Sequence, residues 1–386
     1  MISRKAKGVS ESATVAINSR ANELIRSGVN VIKLGIGEPD FNTPENINQA
    51  AKKAIDQNFS KYTNTDGIPE LKSALVKKFK RDNNIDYSEK EVAAGTGAKQ
   101  ILYNVFLALL NPGDEVITPS PYWLSYPDMV RVADGVPVFS ETEDFAITAN
   151  LIEQKITDRT KLIIINSPNN PTGSVISKSE LEKIADLAVE KNIFVISDEC
   201  YEFFIYDEKH YSIASLGEKV KELTLTVNAL SKTYAMPGWR LGYAGGPEKI
   251  IKTMASLQSH LTGNPNSITQ KAAVEALLGD QSSIKEMTRE FRNRRDLMTK
   301  RLNEISGIKC IKPKGAFYCF PDVSQLYNGK IKSSSDFSLY LLDRAHVATV
   351  PGIVFGSDKH IRLSFASPMK DIEEGMDRIE KAVRII

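Results

Sequence analysis

The sequence predicts an α/β protein in two parts: a large domain with a mostly parallel sheet flanked by helices, and a smaller α+β domain built from both chain termini. Three observations predict it. Short apolar runs at 115–118, 136–139, 161–166, 193–197 and 223–228 alternate with helical or connecting stretches such as 122–133 and 178–191. That rhythm belongs to parallel strands covered on both faces. A glycine-rich turn, GTGAKQ at Gly95 to Gln100, joins a strand directly to a helix. The last hundred residues change to short strands and isolated helices. The expected division is an N-terminal segment 1–45 belonging to the small domain, a large domain 46–283 and a small C-terminal domain 284–386.

Taken in order, 12–27 reads as a helix, and the apolar run 31–36 ends in Gly35-Ile36-Gly37-Glu38-Pro39-Asp40, where glycines allow close backbone approach and a proline stops regular structure. Thr43 caps a helix with Pro44 at its first position, ahead of the periodic NINQAAKKAIDQ. The loop KYTNTDG (61–67) carries Tyr62, which on the residues alone is a half-buried loop tyrosine, and separates that helix from the next at 69–81. A strand at 91–94 enters GTGAKQ, and an apolar helix follows at 101–110 before Asn111-Pro112-Gly113. After a strand at 241–245 come two long helical stretches, roughly 247–278 and 284–305; the basic run RNRR (292–295) reads as a solvated face. Short strands are expected near Ile308 and at 316–320, 347–350 and 360–364, with a helix at 335–345 and a closing helix after Pro368.

Composition narrows the function classes. With 386 residues, 41% of them hydrophobic, the chain holds ample material for a large core. Fifty basic and forty-eight acidic residues without long blocks give no nucleic-acid or membrane surface. The cysteines Cys200, Cys310 and Cys319 form no disulfide framework, and the four histidines lack metal-ligand spacing, so no metal is expected. The polar stretch after MISRKAKG makes a poor signal peptide, which points to the cytoplasm.

The chemically suggestive residues fall at strand ends, where open parallel sheets bind ligands. Lys232, in VNALSKTYAMPGWRLGYAGG, stands in small and polar sequence just after a strand and eight residues before Arg240. A lysine shielded from water near other cations has a lowered pKa and serves as an amine nucleophile. A phosphorylated pyridine aldehyde would need that lysine, a carboxylate for its ring nitrogen, donors for its ring oxygen, an aromatic face and an anion cradle. Asp198 supplies the carboxylate, Asn170 and Tyr201 the donors, and Trp123 the face. Gly97, Ala98 and Lys99 cradle the phosphate with Arg240 as charged partner.

In these residues the chain closely resembles the fold-type-I, pyridoxal-phosphate-dependent class I and II aminotransferases, in the aspartate aminotransferase branch found in bacteria. The resemblance runs through LGIGEPDFNTP, KYTNTDGIPEL, GTGAKQ, NPGDEV, PYWLSYP, NSPNNPTG, SDECYE, SKTYAMPGWRLGY, GAFY, VPG and HIRLSFA. It implies pyridoxal 5'-phosphate as cofactor of the large domain, with Lys232 as its Schiff-base lysine and the base at the substrate Cα. Asp198, Tyr201, Asn170 and Trp123 keep the roles above, and Arg362 grips the substrate α-carboxylate, with the backbone of Gly37 alongside. Tyr62 matches a tyrosine that reaches the phosphate in the neighbouring subunit, which implies a homodimer with shared sites. The bonds Asn170-Pro171 and Ser120-Pro121 are candidate cis peptides.

The resemblance implies transfer of the amino group of aspartate to 2-oxoglutarate in two half-reactions, with Lys99 meeting the distal carboxylate as well as the phosphate. Two positions depart from the family pattern. Ala229 stands where a phosphate-binding hydroxyl is common, with Ser231 nearby, and Ser10 stands where members that also accept prephenate tend to have a basic residue. Aromatic or prephenate transamination is the alternative within the family; decarboxylases and β-lyases use the same lysine and aspartate, and Arg362 with Lys99 favours a dicarboxylic donor. A ligand-sensing regulator would carry a helix-turn-helix pattern, which the 386 residues do not show.

Overall fold

In the computed structural model, which describes residues 2–7 and 13–386, the centre is a seven-stranded sheet. In chain order its strands are β1 (Val92–Gly95), β2 (Glu115–Ser120), β3 (Val136–Glu141), β4 (Thr160–Asn166), β5 (Phe194–Asp198), β6 (Thr224–Ala229) and β7 (Gly242–Gly245). The spatial order is β1-β7-β6-β5-β4-β2-β3, with β7 alone reversed between β1 and β6. The other pairs are parallel, so the fold class predicted from the sequence is the one observed.

Period-two alternation places the core. In β4, Leu162 and Ile164 join one apolar cluster, while Ile163 and Ile165 join another on the opposite face. The first face is covered by α4 (Gly97–Leu109) and α6 (Glu248–Leu261), through Ile101, Val105, Ile251 and Met254. The second is covered by α5 (Lys178–Lys191), through Leu181, Ile184 and Ala188. With both faces dry, polar side chains are left to the strand ends.

A third cluster holds α2 (Glu45–Asp56), α3 (Pro69–Asn83) and α7 (Ser267–Leu278) together by Ile47, Leu71, Leu75, Ala272 and Ala276. The remaining elements gather α1 (Ala13–Arg26), α8 (Ser282–Glu304), α9 (Met369–Val383) and the strands β8 (Tyr318–Cys319), β9 (Val350–Pro351) and β10 (Ile361–Ser364). Here Ile32 and Lys33 pair in parallel with Val347 and Ala348, so sequence-distant ends of the chain share one short ladder.

Several elements depart from their sequence reading for local reasons. The stretch 247–278 is two helices, because Gly263 takes a left-handed φ, Pro265 cannot donate, and Asn266 caps the second helix by accepting from the Thr269 N–H at 2.9 Å. Pro44, not Thr43, is the N-cap of α2; the Thr43 hydroxyl instead donates to the Ala235 carbonyl and accepts from the Trp239 indole. The run 31–36 is a strand only at Ile32–Lys33, and Ile308 is followed by a single bridge between Lys309 and Asp322. The helix at 335–345 is α-helical over Ser334–Tyr340 and closes through a π turn at Leu341–Ala345. The basic run is not wholly solvated. Arg294 is buried on Asp40 and Glu290, and Arg295 is buried on Asp207 and Asp296 with its guanidinium over the Tyr206 ring. Both cis peptides are present, and Ser167-Pro168 is a third.

Behind the end of β5 lies a buried charge cluster. Lys78 of α3 pairs with Glu202 and donates to Asn83, while Glu199 takes bonds from Asn83, Ser197, Ser212 and His210. Burial works to lower the His210 pKa, but Glu199 beside it outweighs burial and raises it. Removing one member of such a pair leaves the other charge in a dry site. The Lys78→Met variant is therefore expected to lose about 3–5 kcal/mol of folding stability, read as a lower urea midpoint; an unchanged midpoint would show the pair to be dispensable.

Candidate active site

The carboxyl ends of the strands open into a cavity of about 360 Å³. Ten of the twelve residues singled out from the sequence line it: Gly37, Ala98, Lys99, Trp123, Asn170, Asp198, Tyr201, Lys232, Arg240 and Arg362. They arrive from separate elements. β5 ends at Asp198, the turn after β6 presents Lys232, the loops after β2 and β4 present Trp123 and Asn170, and β10 presents Arg362. Gly97 and Tyr62 are the two not on the wall.

Asp198 is buried and accepts from the Tyr126 hydroxyl at 2.6 Å and the Cys200 N–H at 3.2 Å. Burial raises its pKa although these donors pull the other way, and no cation pairs with it among the described residues. A carboxylate so placed fits a cationic N–H donor within the cavity. Tyr126 is a site residue that sequence reasoning missed. Its only sequence signal is the i, i+3 spacing from Trp123, whose ring it meets edge-on at 5.2 Å.

Lys232 donates to the carbonyl of Gly37. It is half-buried by surface area, and shielding of its ammonium lowers its pKa to about 8, with Arg362 and Arg240 acting in the same direction. At pH 7.5 an amine of that pKa is roughly a quarter neutral, against about a thousandth for an ordinary lysine.

Asn170 and Tyr201 are both buried, with the amide nitrogen 3.5 Å from the phenol oxygen. Arg362 fixes the amide by donating to its Oδ1 at 3.0 Å, and also donates to the Gly35 carbonyl at 2.9 Å. Its Nε is buried without a partner among the described residues. A buried guanidinium N–H left unpaired beside a cavity fits a carboxylate ligand.

At the other end, α4 starts at Gly97 with no side-chain cap, so its first N–H groups are open to an anion. Gly97 has φ +80° and a Cβ there would stand 2.5 Å from the Arg240 guanidinium, so only glycine lets that charge approach the turn. Gly242 of β7 serves similarly, since its Cβ would lie 2.3 Å from the Ala98 nitrogen. Arg240 is itself left-handed (φ +56°) and exposed at the mouth. Lys99 rests its ammonium 5.1 Å over the Trp123 ring, and shielding there together with Arg240 lowers its pKa. Where the family hydroxyl is replaced by Ala229, the buried Ser231 also lines the cavity.

Tyr62 is not half-buried: it is 97% exposed and away from the cavity, although Gln270 and Gln258 tie Thr63 and Thr65 of its loop to the body. Ser10 lies outside the described residues. No helix among the described residues is long and apolar enough to cross a membrane. The potential metal ligands that gather among them, Glu199, Glu202 and His210, already hold Lys78, Asn83 and the serines.

The family model described as aminotransferase class I and II matches residues 29–379. An aspartate aminotransferase of Bacillus sp. (strain YM-2) is 46% identical over 100% of this chain and 99% of its own. A probable aspartate/prephenate aminotransferase of Rickettsia bellii is 47% identical over 99% of this chain and 98% of its own. Among solved structures, the aspartate aminotransferase from Rhizobium meliloti superposes with a TM-score of 0.96 at 42% identity, covering 100% of this chain and 99% of that one.

The lowered pKa of Lys232 has a consequence for stability in the cofactor-free protein. The unfolded chain keeps this proton to about pH 10.5, the folded one only to about 8, so unfolding takes up a proton between those values and stability rises with pH there. Wild type is expected to gain stability relative to Lys232→Met across that window, measured by denaturant midpoints; a flat difference would remove burial as the cause.

Proposed function

The chain belongs to the class I and II aminotransferases, and from that premise we propose that it transfers the amino group of L-aspartate to 2-oxoglutarate, giving oxaloacetate and L-glutamate. The observation that carries the reading is the convergence of a lysine with a lowered pKa, a buried cation-free carboxylate and an arginine with an unpartnered N–H around one cavity. The cofactor of the reading is pyridoxal 5'-phosphate, which supplies an aldehyde for the amino group and a conjugated ring that takes up the electron pair left when a Cα–H bond breaks.

In this reading Asp198 holds the ring nitrogen, and Asn170 and Tyr201 donate to the ring oxygen. The open N–H groups at Gly97 and Ala98, with Lys99, Arg240 and the hydroxyl of Ser231, hold the phosphate. Trp123 would offer its aromatic face to the ring. Arg362 orients the substrate by its α-carboxylate, beside the backbone of Gly37, and Lys99 meets the distal carboxylate. Lys232, its ammonium made more acidic by its surroundings, would take the proton from the substrate Cα and hold it for return.

The reading extends to assembly. Tyr62 belongs to the phosphate site of a second copy, in a cytoplasmic homodimer with shared sites. Residues 1–45 and 284–386 form the smaller domain, 46–283 the larger. A second reading, that aromatic or prephenate-type substrates are also used, is favoured by the name of the Rickettsia bellii relative.

The purified protein is expected to show a visible band that aspartate bleaches and 2-oxoglutarate restores, and borohydride is expected to fix the cofactor to the peptide containing Lys232. Stoichiometric release of CO2 or ammonia from aspartate would sink the transaminase reading. Lys99→Ala is expected to raise the KM for aspartate by ~10- to 100-fold, the loss of a charged hydrogen bond, and that for an aromatic donor far less. Equal losses for both would remove the distal-carboxylate role.

A further inference from the structure

Tyr318 lines the cavity without a part in the mechanism above. It is fully buried on β8, where it pairs with Ser364 of β10, two residues beyond Arg362. Its hydroxyl lies 2.9 Å from that of Tyr201. Its ring lies under the guanidinium of Arg362, 4.4 Å from the central carbon, and the Phe355 ring lies 5.0 Å from the same carbon. A Cβ at Gly37 would stand 2.9 Å from the Tyr318 oxygen, so the side chain also abuts the N-terminal loop of the cavity.

A phenol has one proton and two acceptor lone pairs. The Tyr201 oxygen faces two groups able to donate, the Asn170 amide at 3.5 Å and the Tyr318 hydroxyl. With Tyr318 as the donor of that pair, both lone pairs are taken and the single proton of Tyr201 is left to the cavity. The ring of Tyr318 constrains Arg362 in a different way. Aromatic contacts fix the guanidinium plane while two of its nitrogens are bound to Asn170 and Gly35, so the remaining N–H edge, with the unpartnered Nε, is what a carboxylate meets.

We propose that Tyr318 is a positioning residue: its hydroxyl donates to Tyr201 and turns that phenol's proton toward the cofactor ring oxygen, while its ring holds Arg362 edge-on to the substrate carboxylate. The hydroxyl role rests on the reading of Tyr201 as a ring-oxygen donor. Arg362 and Cys200 are the other titratable groups beside Tyr201.

The test uses the cofactor-loaded enzyme and the pH midpoint of its visible band. Tyr201→Phe is expected to move that midpoint upward, because a lost donor leaves the ring oxygen more basic. Tyr318→Phe is expected to move it in the same direction by less and to lower kcat by ~3- to 10-fold, with the KM for aspartate within ~2-fold because the ring remains. Adding Tyr318→Phe to Tyr201→Phe is expected to move the midpoint no further. Tyr318→Leu is expected to raise the KM for both amino and oxo acid as well, by ~3- to 30-fold. A midpoint that moves in Tyr201→Phe but not in Tyr318→Phe, or shifts that add in the double variant, would overturn the role of Tyr318 alone. A midpoint unmoved in Tyr201→Phe would overturn the reading of Tyr201 and the hydroxyl role together. A KM equal in the Phe and Leu variants would overturn the role of the ring.

Discussion

A carboxylate held in a dry place with hydrogen bonds but no cation is the constraint around which the rest is arranged. Asp198 stands at the end of β5, the middle strand of the sheet, with the Tyr126 hydroxyl and the Cys200 N–H among its donors. Burying an ionised carboxylate costs several kcal/mol unless a positive group completes it. The sheet supplies everything but that group. Its apolar faces keep water out, and its strand ends bring Lys232, Asn170 and Trp123 to the same opening.

The turn after Asp198 divides the polar groups into two sets. Toward the protein interior, Glu199 and Glu202 are matched by Lys78 and His210 and tied to β6 through Asn228. Toward the opening, Tyr201 and Asp198 face ligand space. Four residues of SDECYE therefore do opposite work by pointing in opposite directions. The inner cluster pairs its carboxylates with Lys78 and His210, so it holds the turn without competing for ligands. The same turn is thereby referenced to the strand that carries Lys232.

Much of this was legible in the sequence. Short apolar runs between helical stretches gave the strands, and punctuation by glycine and proline marked their ends. Ten of the residues expected at a site share one cavity, since strand ends in a parallel sheet must gather on one edge. Residues whose role depends on distant partners were harder to read. Arg294 and Arg295 look like a solvated run but are drawn inward by Asp40, Asp207 and the Tyr206 ring, none of them near in sequence. Thr43 looks like a helix cap but is claimed by Ala235 and Trp239. Tyr126 sits on a short helix with nothing in its neighbours to tell of Asp198.

What the sequence determined by itself was the periodicity of the strands and helices, the turns that must be glycine, and the identities of the groups able to do chemistry. Each of these follows from backbone sterics or side-chain chemistry acting over a few residues. The tertiary structure alone decided which charges are buried together, that Lys232 lies where its proton is held weakly, and that Tyr318 stands between Tyr201 and Arg362. Burial and orientation are set mainly by side chains tens to hundreds of residues away along the chain. No local pattern carries that information, because solvation depends on what closes over a group and not on what precedes it.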